Sequence, residues 1–253
     1  KSELKRISMY QTHRGPDNNG FWEDRDNFLF LSHQRLSIID LSQYGNQPMI
    51  SKSGRYIISF NGEIYNFQEL KFILERKNNS LKWKGNSDTE VLLALIEEFG
   101  LNQALKKCVG MFAFALWDRE KKILKLVRDR IGEKPVYYGW QGKGDEAVFL
   151  FGSEIKALRA HPAFENKISR GAVSLQMRYN YIPCPYSIYE GIFKLSPGTL
   201  LTVSLQKREP KIWQYWSGAK VAQSGVARVF DGDTKQAIDD LEILLKDAIR
   251  MQM

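Results

Sequence analysis

Cysteine is scarce: only Cys108 and Cys184 occur in 253 residues, too few for a disulfide framework and in keeping with a reducing, cytoplasmic setting. Histidine is scarcer still in function, since no His/Cys/Asp cluster has metal-ligand spacing, and no metal site is expected. Long hydrophobic runs are absent. The longest apolar stretch, Met111 to Trp117, falls well short of the ~18 residues that a membrane-spanning helix needs, so no membrane partner is expected. No secretory signal is expected, because residues 1–14 are largely polar. The net charge of +8 is spread in pairs such as Lys106-Lys107 and Lys121-Lys122, which reads as a solvated surface and not as a nucleic-acid footprint. Glycine-rich phosphate-binding loops and internal repeats are also lacking.

What remains is a folded chain, 43% apolar and 26% charged, long enough for a sizeable core. Residues 2–12 read as a helix stopped by Gly15-Pro16. Strands are expected at 28–33 and 55–60, the second running into Asn61-Gly62, a turn dipeptide. A helix at 70–76 follows. Ser87-Asp88-Thr89-Glu90 predicts a helix start in which Ser87 caps the first turn and Glu90 reaches back to it, with Val91, Leu92, Leu95, Ile96 and Phe99 as its apolar face. A helical stretch at 101–107 precedes 110–118, which reads as a strand buried on both faces. Strands at 123–128, 135–140 and 147–152, short helices at 154–159 and 169–178, and strands near 192, 200–205 and 211–216 complete a substantial sheet system. Apolar density falls over 217–233, the expected linker. Asp233 caps a last helix whose stripe of Ile238, Leu241, Leu244, Leu245, Ala248 and Ile249 has no stop signal, as though the chain were cut inside a second domain. Position 1 is Lys, so an upstream segment is also expected.

Four segments place polar residues at the ends of apolar strands, where a scaffold presents functional groups. They are His13-Arg14-Gly15-Pro16-Asp17, Arg35-Leu36-Ser37-Ile38-Ile39-Asp40, Asn61-Gly62-Glu63-Ile64-Tyr65-Asn66 and Ser87-Asp88-Thr89-Glu90. Each has a purely structural account: a helix stop, a surface ion pair, a hairpin turn and a carboxylate complementing a helix dipole. His13 and His33 read as structural, and Cys108 as a small apolar core residue.

In this order the four segments resemble the glutaminase domain of the N-terminal-nucleophile amidotransferases, in particular that of glutamine-hydrolysing asparagine synthetases. Further family-like signatures extend the resemblance over nearly the whole chain: residues 110–118, Arg128-Asp129-Arg130-Ile131-Gly132-Glu133-Lys134-Pro135, Ser153-Glu154-Ile155-Lys156-Ala157-Leu158 and Ser196-Pro197-Gly198. The resemblance implies an α+β, four-layer αββα sandwich over residues 1–216, lacking its first strand. It also implies that residues 234–253 open an ATP-dependent α/β synthetase domain. It implies glutamine as substrate, with Arg35 gripping the α-carboxylate, backbone groups of Leu36 and Ile39 lining the pocket, the Asn61 amide and Gly62 N–H forming an oxyanion hole, and Asp88 with Glu63 holding the ammonium. ATP and Mg belong to the synthetase domain, which the ammonia would reach to amidate aspartate, and a homodimer is compatible with this reading. The family nucleophile is a cysteine beside the initiator methionine. This sequence starts at the helix that follows, so the residues given are expected to be inactive alone. Two alternatives stand beside this reading: another acceptor, such as a sugar acid in surface-polysaccharide assembly, or a cysteine-less scaffold domain. The segment at 132–138 faces either the synthetase domain or the core.

Overall fold

The computed structural model describes the backbone of residues 2–253 and the side chains from residue 5 onward. In chain order the elements are α1 (Ser2–Met9), β1 (Asn18–Asp24), β2 (Leu29–Arg35), β3 (Met49–Ile50), β4 (Tyr56–Ile64), α2 (Phe67–Lys77), α3 (Asp88–Phe99), α4 (Leu101–Lys107), β5 (Gly110–Asp118) and β6 (Ile123–Arg128). There follow β7 (Tyr137–Gln141), β8 (Val148–Gly152), α5 (Ile155–Arg159), α6 (Arg170–Tyr179), β9 (Phe193–Lys194), β10 (Thr199–Val203), β11 (Lys211–Gln214), α7 (Gly218–Val226) and α8 (Thr234–Arg250).

Strand β5 organises the core through the two-residue period of a strand. Phe112, Phe114 and Leu116 pack with Leu70, Leu74, Leu92, Leu95 and Ile96 of α2 and α3 and with Leu105 of α4. The intervening Ala113, Ala115 and Trp117 pack on the other face against Leu31, Val136, Tyr138 and Leu195. Both faces of this strand are therefore interior, as its continuous apolar run predicts. It lies in a six-stranded antiparallel sheet of order β11-β10-β6-β5-β4-β3.

Two smaller sheets, β1-β2 and β8-β7-β9, form the next layer. Helix α1 packs on β2, α5 packs on β8, and these two helices touch each other. Helices, sheet, split sheet and helices thus make four layers. Within the split layer, and among the described residues, β2 pairs with β1 alone and β8 with β7 alone. A cavity of about 320 Å³ lies along these two open edges, lined by Phe28 to Gln34 on one side and Val148 to Ser153 on the other.

Several local expectations are revised. Asn61-Gly62 is not a hairpin turn: it lies inside β4, paired with Ala113 and Phe112 of β5, because a nine-residue ladder outweighs the local turn preference. Glu90 does not complete a capping box. Ser87 Oγ accepts the Thr89 N–H at 3.1 Å, but the Glu90 carboxylate accepts the N–H groups of Lys84 and Gly85 at 2.9 and 3.0 Å and so fixes the approach to α3 instead. Helix α1 ends at Met9, with a separate 3₁₀ turn at Thr12–Arg14. The polar segment Asn18–Asp24 is a strand, held by full pairing with β2. Within 217–233, Gly218–Val226 is helical, with Ser217 Oγ accepting the Lys220 N–H at 3.3 Å. Helix α8 starts as read, Asp233 accepting the Gln236 N–H at 2.8 Å, and its apolar stripe is exposed, Leu244 by 66%.

Residues 128–134 are explained by packing. Asp129 is fully buried, and its carboxylate accepts the N–H groups of Phe112, Ile131, Gly132, Glu133 and Lys134. Arg128 bonds the carbonyls of Gly132, Lys134 and Leu195, so the loop is a closed polar knot against β5.

Candidate active site

A second cavity, of about 250 Å³, opens beside β4. Its lining includes every residue singled out for binding or catalysis: Arg35, Leu36, Ile39, Asn61, Gly62, Glu63 and Asp88. They arrive from separate elements. Arg35 ends β2, Leu36 and Ile39 lie in the loop after it, Asn61, Gly62 and Glu63 are consecutive in β4, and Asp88 opens α3.

The loop after β2 is held by hydrogen bonds that also shape the cavity. Buried Arg35 donates through Nη1 to Ser42 O at 2.8 Å and Asn46 Oδ1 at 2.7 Å, and through Nη2 to Asp40 O. Three of its five N–H donors are therefore used within the loop, which leaves two for a ligand. Asp40 joins the loop to the approach of α3 by accepting the N–H groups of Ser42 and Asn86, each at 2.8 Å. Burial pushes the Asp40 pKa up, but the hydrogen bonds from Ser42 and Asn86 outweigh it and hold the group below the usual carboxylate value. Asp17 accepts the Ser37 N–H at 2.7 Å, which brings the first polar segment to the same rim, and Arg14 lines it too.

Gly62 has the backbone freedom that this wall requires. Its φ is +147°, and a Cβ there would stand 2.0 Å from Met111 O, so no other residue fits without moving β5. The direction of its amide follows from the ladder. Phe112, the residue opposite Gly62, donates its N–H to Asp129 Oδ2 and accepts the Asp129 N–H on its carbonyl. Neither group pairs with Gly62, so the Gly62 N–H points to the other edge of β4, given the alternation of an antiparallel pair. On that edge Phe60 N–H donates to Gln47 Oε1 at 2.6 Å and Ile64 N–H to Asp88 Oδ2 at 2.9 Å. The Gly62 amide lies between these two at the cavity wall. Beside it, Asn61 Nδ2 donates to Ser153 Oγ at 3.2 Å, which leaves one amide proton.

Asp88 is buried, and burial raises its pKa above the usual carboxylate value, with the negative charge of Glu63 adding to the effect. The N–H groups of Ile64 and Thr89 pull in the opposite direction without cancelling it. A carboxylate in this state gains from a cation placed beside it. One cavity thus holds a guanidinium with two spare donors, two amide donors on adjacent residues, and the carboxylates of Glu63 and Asp88 as well as that of Asp40, which is spent on the loop.

Three residues of this region carry no role in the sequence reading. Gln47 and Ser153 bond the backbone and side chain of β4, and His33 bonds Phe60 O through Nε2 at 3.0 Å. A signal for His33 exists, because it precedes Arg35 by two and so shares its face of β2. His33, Asn61 and Arg14 line both cavities. Neither cysteine lines either one. Burial pushes the Cys108 thiol up to about 12, while Cys184 is exposed between Pro183 and Pro185.

No group of three or more His, Cys, Asp or Glu residues is placed to hold a metal ion among the described residues. No helix among them is long and apolar enough to cross a membrane.

A Methanocaldococcus jannaschii protein bearing the name of a glutamine-hydrolysing asparagine synthetase is 35% identical over this whole chain and 49% of its own length. Asparagine synthetase (glutamine-hydrolysing) 3 of Bacillus subtilis is 33% identical over the whole chain and 39% of its own length. Amidase chry2 of Gibberella zeae is 35% identical over 81% of this chain and 28% of its own. The chain spans half or less of each of these relatives. Residues 1–216 match the sequence profile of the glutamine amidotransferase domain, the stretch that builds both cavities, and on that match the chain belongs to the glutamine amidotransferase domain family.

Proposed function

We propose that residues 1–216 hydrolyse glutamine to glutamate and ammonia, and that the ammonia serves ATP-dependent conversion of aspartate to asparagine elsewhere in the protein. The observation that carries this reading is the pairing, in one cavity, of Arg35 with Asp88 and Glu63 around the Asn61-Gly62 donors. Free glutamine needs both charges matched where water is excluded, and a peptide-bound glutamine would offer neither. Arg35 takes the α-carboxylate with its two spare donors, and Asp88 with Glu63 takes the ammonium. Asn61 Nδ2 and Gly62 N–H receive the negative charge that develops on the side-chain carbonyl oxygen when a thiol attacks it. Ammonia leaves, and water then cleaves the thioester to release glutamate.

The thiol comes, in this reading, from a cysteine on a strand that fills the 320 Å³ slot between β2 and β8. The slot is bordered by two unpaired strand edges, which is where one further strand gains backbone hydrogen bonds on both sides. The slot also meets the glutamine cavity at Asn61. For ATP and Mg, the sequence has no phosphate-binding glycine loop, and among the described residues no group of three or more His, Cys, Asp or Glu is placed to hold a metal ion. We assign both to a further synthetase domain, packed on the exposed stripe of α8, in a cytoplasmic enzyme. A homodimer is compatible with this assignment.

Ammonia release from glutamine by the full-length protein tests the glutaminase. Formation of asparagine from aspartate, ATP-Mg and glutamine tests the acceptor. No ammonia release would overturn the reading. Ammonia release without asparagine would move the acceptor to another acid.

A further inference from the structure

His33 holds a buried polar atom that nothing in the described structure satisfies. Its Nε2 lies 3.0 Å from the carbonyl of Phe60, which can only accept, so Nε2 carries the proton. Its Nδ1 is buried and has no hydrogen-bond partner among the described residues. Burial, with the charge of Arg35 as a smaller contributor, lowers the His33 pKa to about 4 although the Phe60 carbonyl opposes this. The ring is therefore neutral at physiological pH, and Nδ1 is a lone pair in search of a donor. Leaving such an atom unpaired is costly, and native structures rarely do so.

The position of this atom narrows the donor. His33 projects from β2 on the face that carries Leu31 and Arg35, and it borders the slot as well as the glutamine cavity. Asn61 and Ser153, which bond each other at 3.2 Å, also border the slot. Gln34, the neighbour of His33, is spent on the other side, donating to Ser8 at 2.7 Å. The unsatisfied acceptor thus stands beside the proposed oxyanion donor, on the wall of the space between the two open strand edges.

We infer that His33 is a positioning residue, whose Nδ1 accepts a hydrogen bond from an N–H or S–H donor on the strand that fills the slot and so fixes the end of that strand beside Asn61. The inference rests on the glutaminase reading above and adds to it the contact that orients the thiol. In this assignment His33 acts through the entering strand, and Phe60 O and that strand compete for no common nitrogen.

Two substitutions in the full-length protein separate the two ring nitrogens. In His33→Gln the side-chain amide reaches the Nε2 position and keeps a donor for Phe60 O while losing the acceptor. In His33→Asn the amide oxygen takes the Nδ1 position and the bond to Phe60 is lost. The expected result is that His33→Gln keeps its Tm but loses about tenfold in kcat for glutamine hydrolysis with KM nearly unchanged, whereas His33→Asn lowers Tm and retains kcat. The ¹⁵N resonance of Nδ1 in histidine-labelled full-length protein is expected at the position of an unprotonated, hydrogen-bonded nitrogen. Parallel losses of kcat and Tm in both variants, or an Nδ1 resonance matching a free neutral imidazole, would overturn the inference. If wild-type protein releases no ammonia, the glutaminase reading fails, and the Nδ1 resonance alone then decides whether His33 has a donor.

Discussion

The Asp88 carboxylate accepts the backbone N–H of Ile64 at 2.9 Å, which ties the first turn of α3 to the end of β4 and aims a poorly solvated charge at the cavity. Asp88→Asn keeps an oxygen for Ile64 and removes the charge. We predict a rise in KM for glutamine of about tenfold or more with little change in kcat. The sign of the pH effect follows from the raised pKa. A carboxylate that binds its proton more tightly when folded loses stability as pH rises from its unfolded pKa through its folded pKa, and the full loss is present above the folded pKa. Ligand-free Asp88→Asn should therefore gain Tm relative to wild type as pH climbs from 3.8 toward neutrality, and the gain should shrink when glutamine supplies its ammonium. A variant that binds glutamine normally would return Asp88 to a purely structural role.

Asn61 and Gly62 are neighbours with different tolerances. The Asn61 side chain bonds Ser153 alone, so Asn61→Ala should leave Tm within a degree or two and lower kcat by about 100-fold to 1000-fold. Gly62→Ala forces a Cβ against Met111 O and should destabilise the protein by about 3 kcal/mol or more, measured by urea unfolding. Equal stability loss in both variants would remove the distinction between donor and scaffold.

The two halves of this site differ in how plainly the sequence displays them. The buried strand 110–118 announces itself by a continuous apolar run, because both of its faces are interior, and the helix from Ser87 by the amphipathic repeat of its core-facing residues. Asn61-Gly62 does the opposite: its local signal is a turn, and only pairing with Ala113 and Phe112 of β5, far along the chain, makes it a strand interior. Glu90 is similar, since its carboxylate has a choice between the cap and the N–H groups of Lys84 and Gly85, and tertiary structure makes that choice. Nothing in the residue order reveals that Asp129 accepts both Phe112 and its own loop, yet that arrangement is what turns the Gly62 amide outward. Long-range pairing is invisible to local preference.

Arg35→Lys tests whether the clamp and the loop can be separated. A single ammonium cannot reach Ser42 O, Asn46 Oδ1 and Asp40 O and also present a fork to a carboxylate. The expected outcome is weaker glutamine use by about 2 to 5 kcal/mol in kcat/KM, together with faster hydrogen exchange across residues 36–46. Ammonia-driven synthesis by the full-length protein should survive. Its loss in equal measure would assign Arg35 to folding alone.

The two cysteines offer a last test, because the proposed chemistry needs a thiol and neither is placed to supply one. At pH 8 a thiol pushed up to about 12 by burial stays protonated, and the thiolate is the reactive form. Cys108 is also packed among core residues between α4 and β5. Cys184 is exposed, with Sγ 3.4 Å from Lys194 O and 3.5 Å from Ser196 Oγ, yet it lines neither cavity. In native protein, iodoacetamide should label Cys184 and spare Cys108 until urea unfolds the chain. Full-length Cys184→Ser and Cys108→Ala should both hydrolyse glutamine at the wild-type kcat, with Cys108→Ala losing about 1 kcal/mol of stability for its small cavity. Loss of turnover in Cys184→Ser would mean that the thiol reaches glutamine from outside the β2–β8 slot, and the placement of the nucleophile between those two open edges would then be wrong.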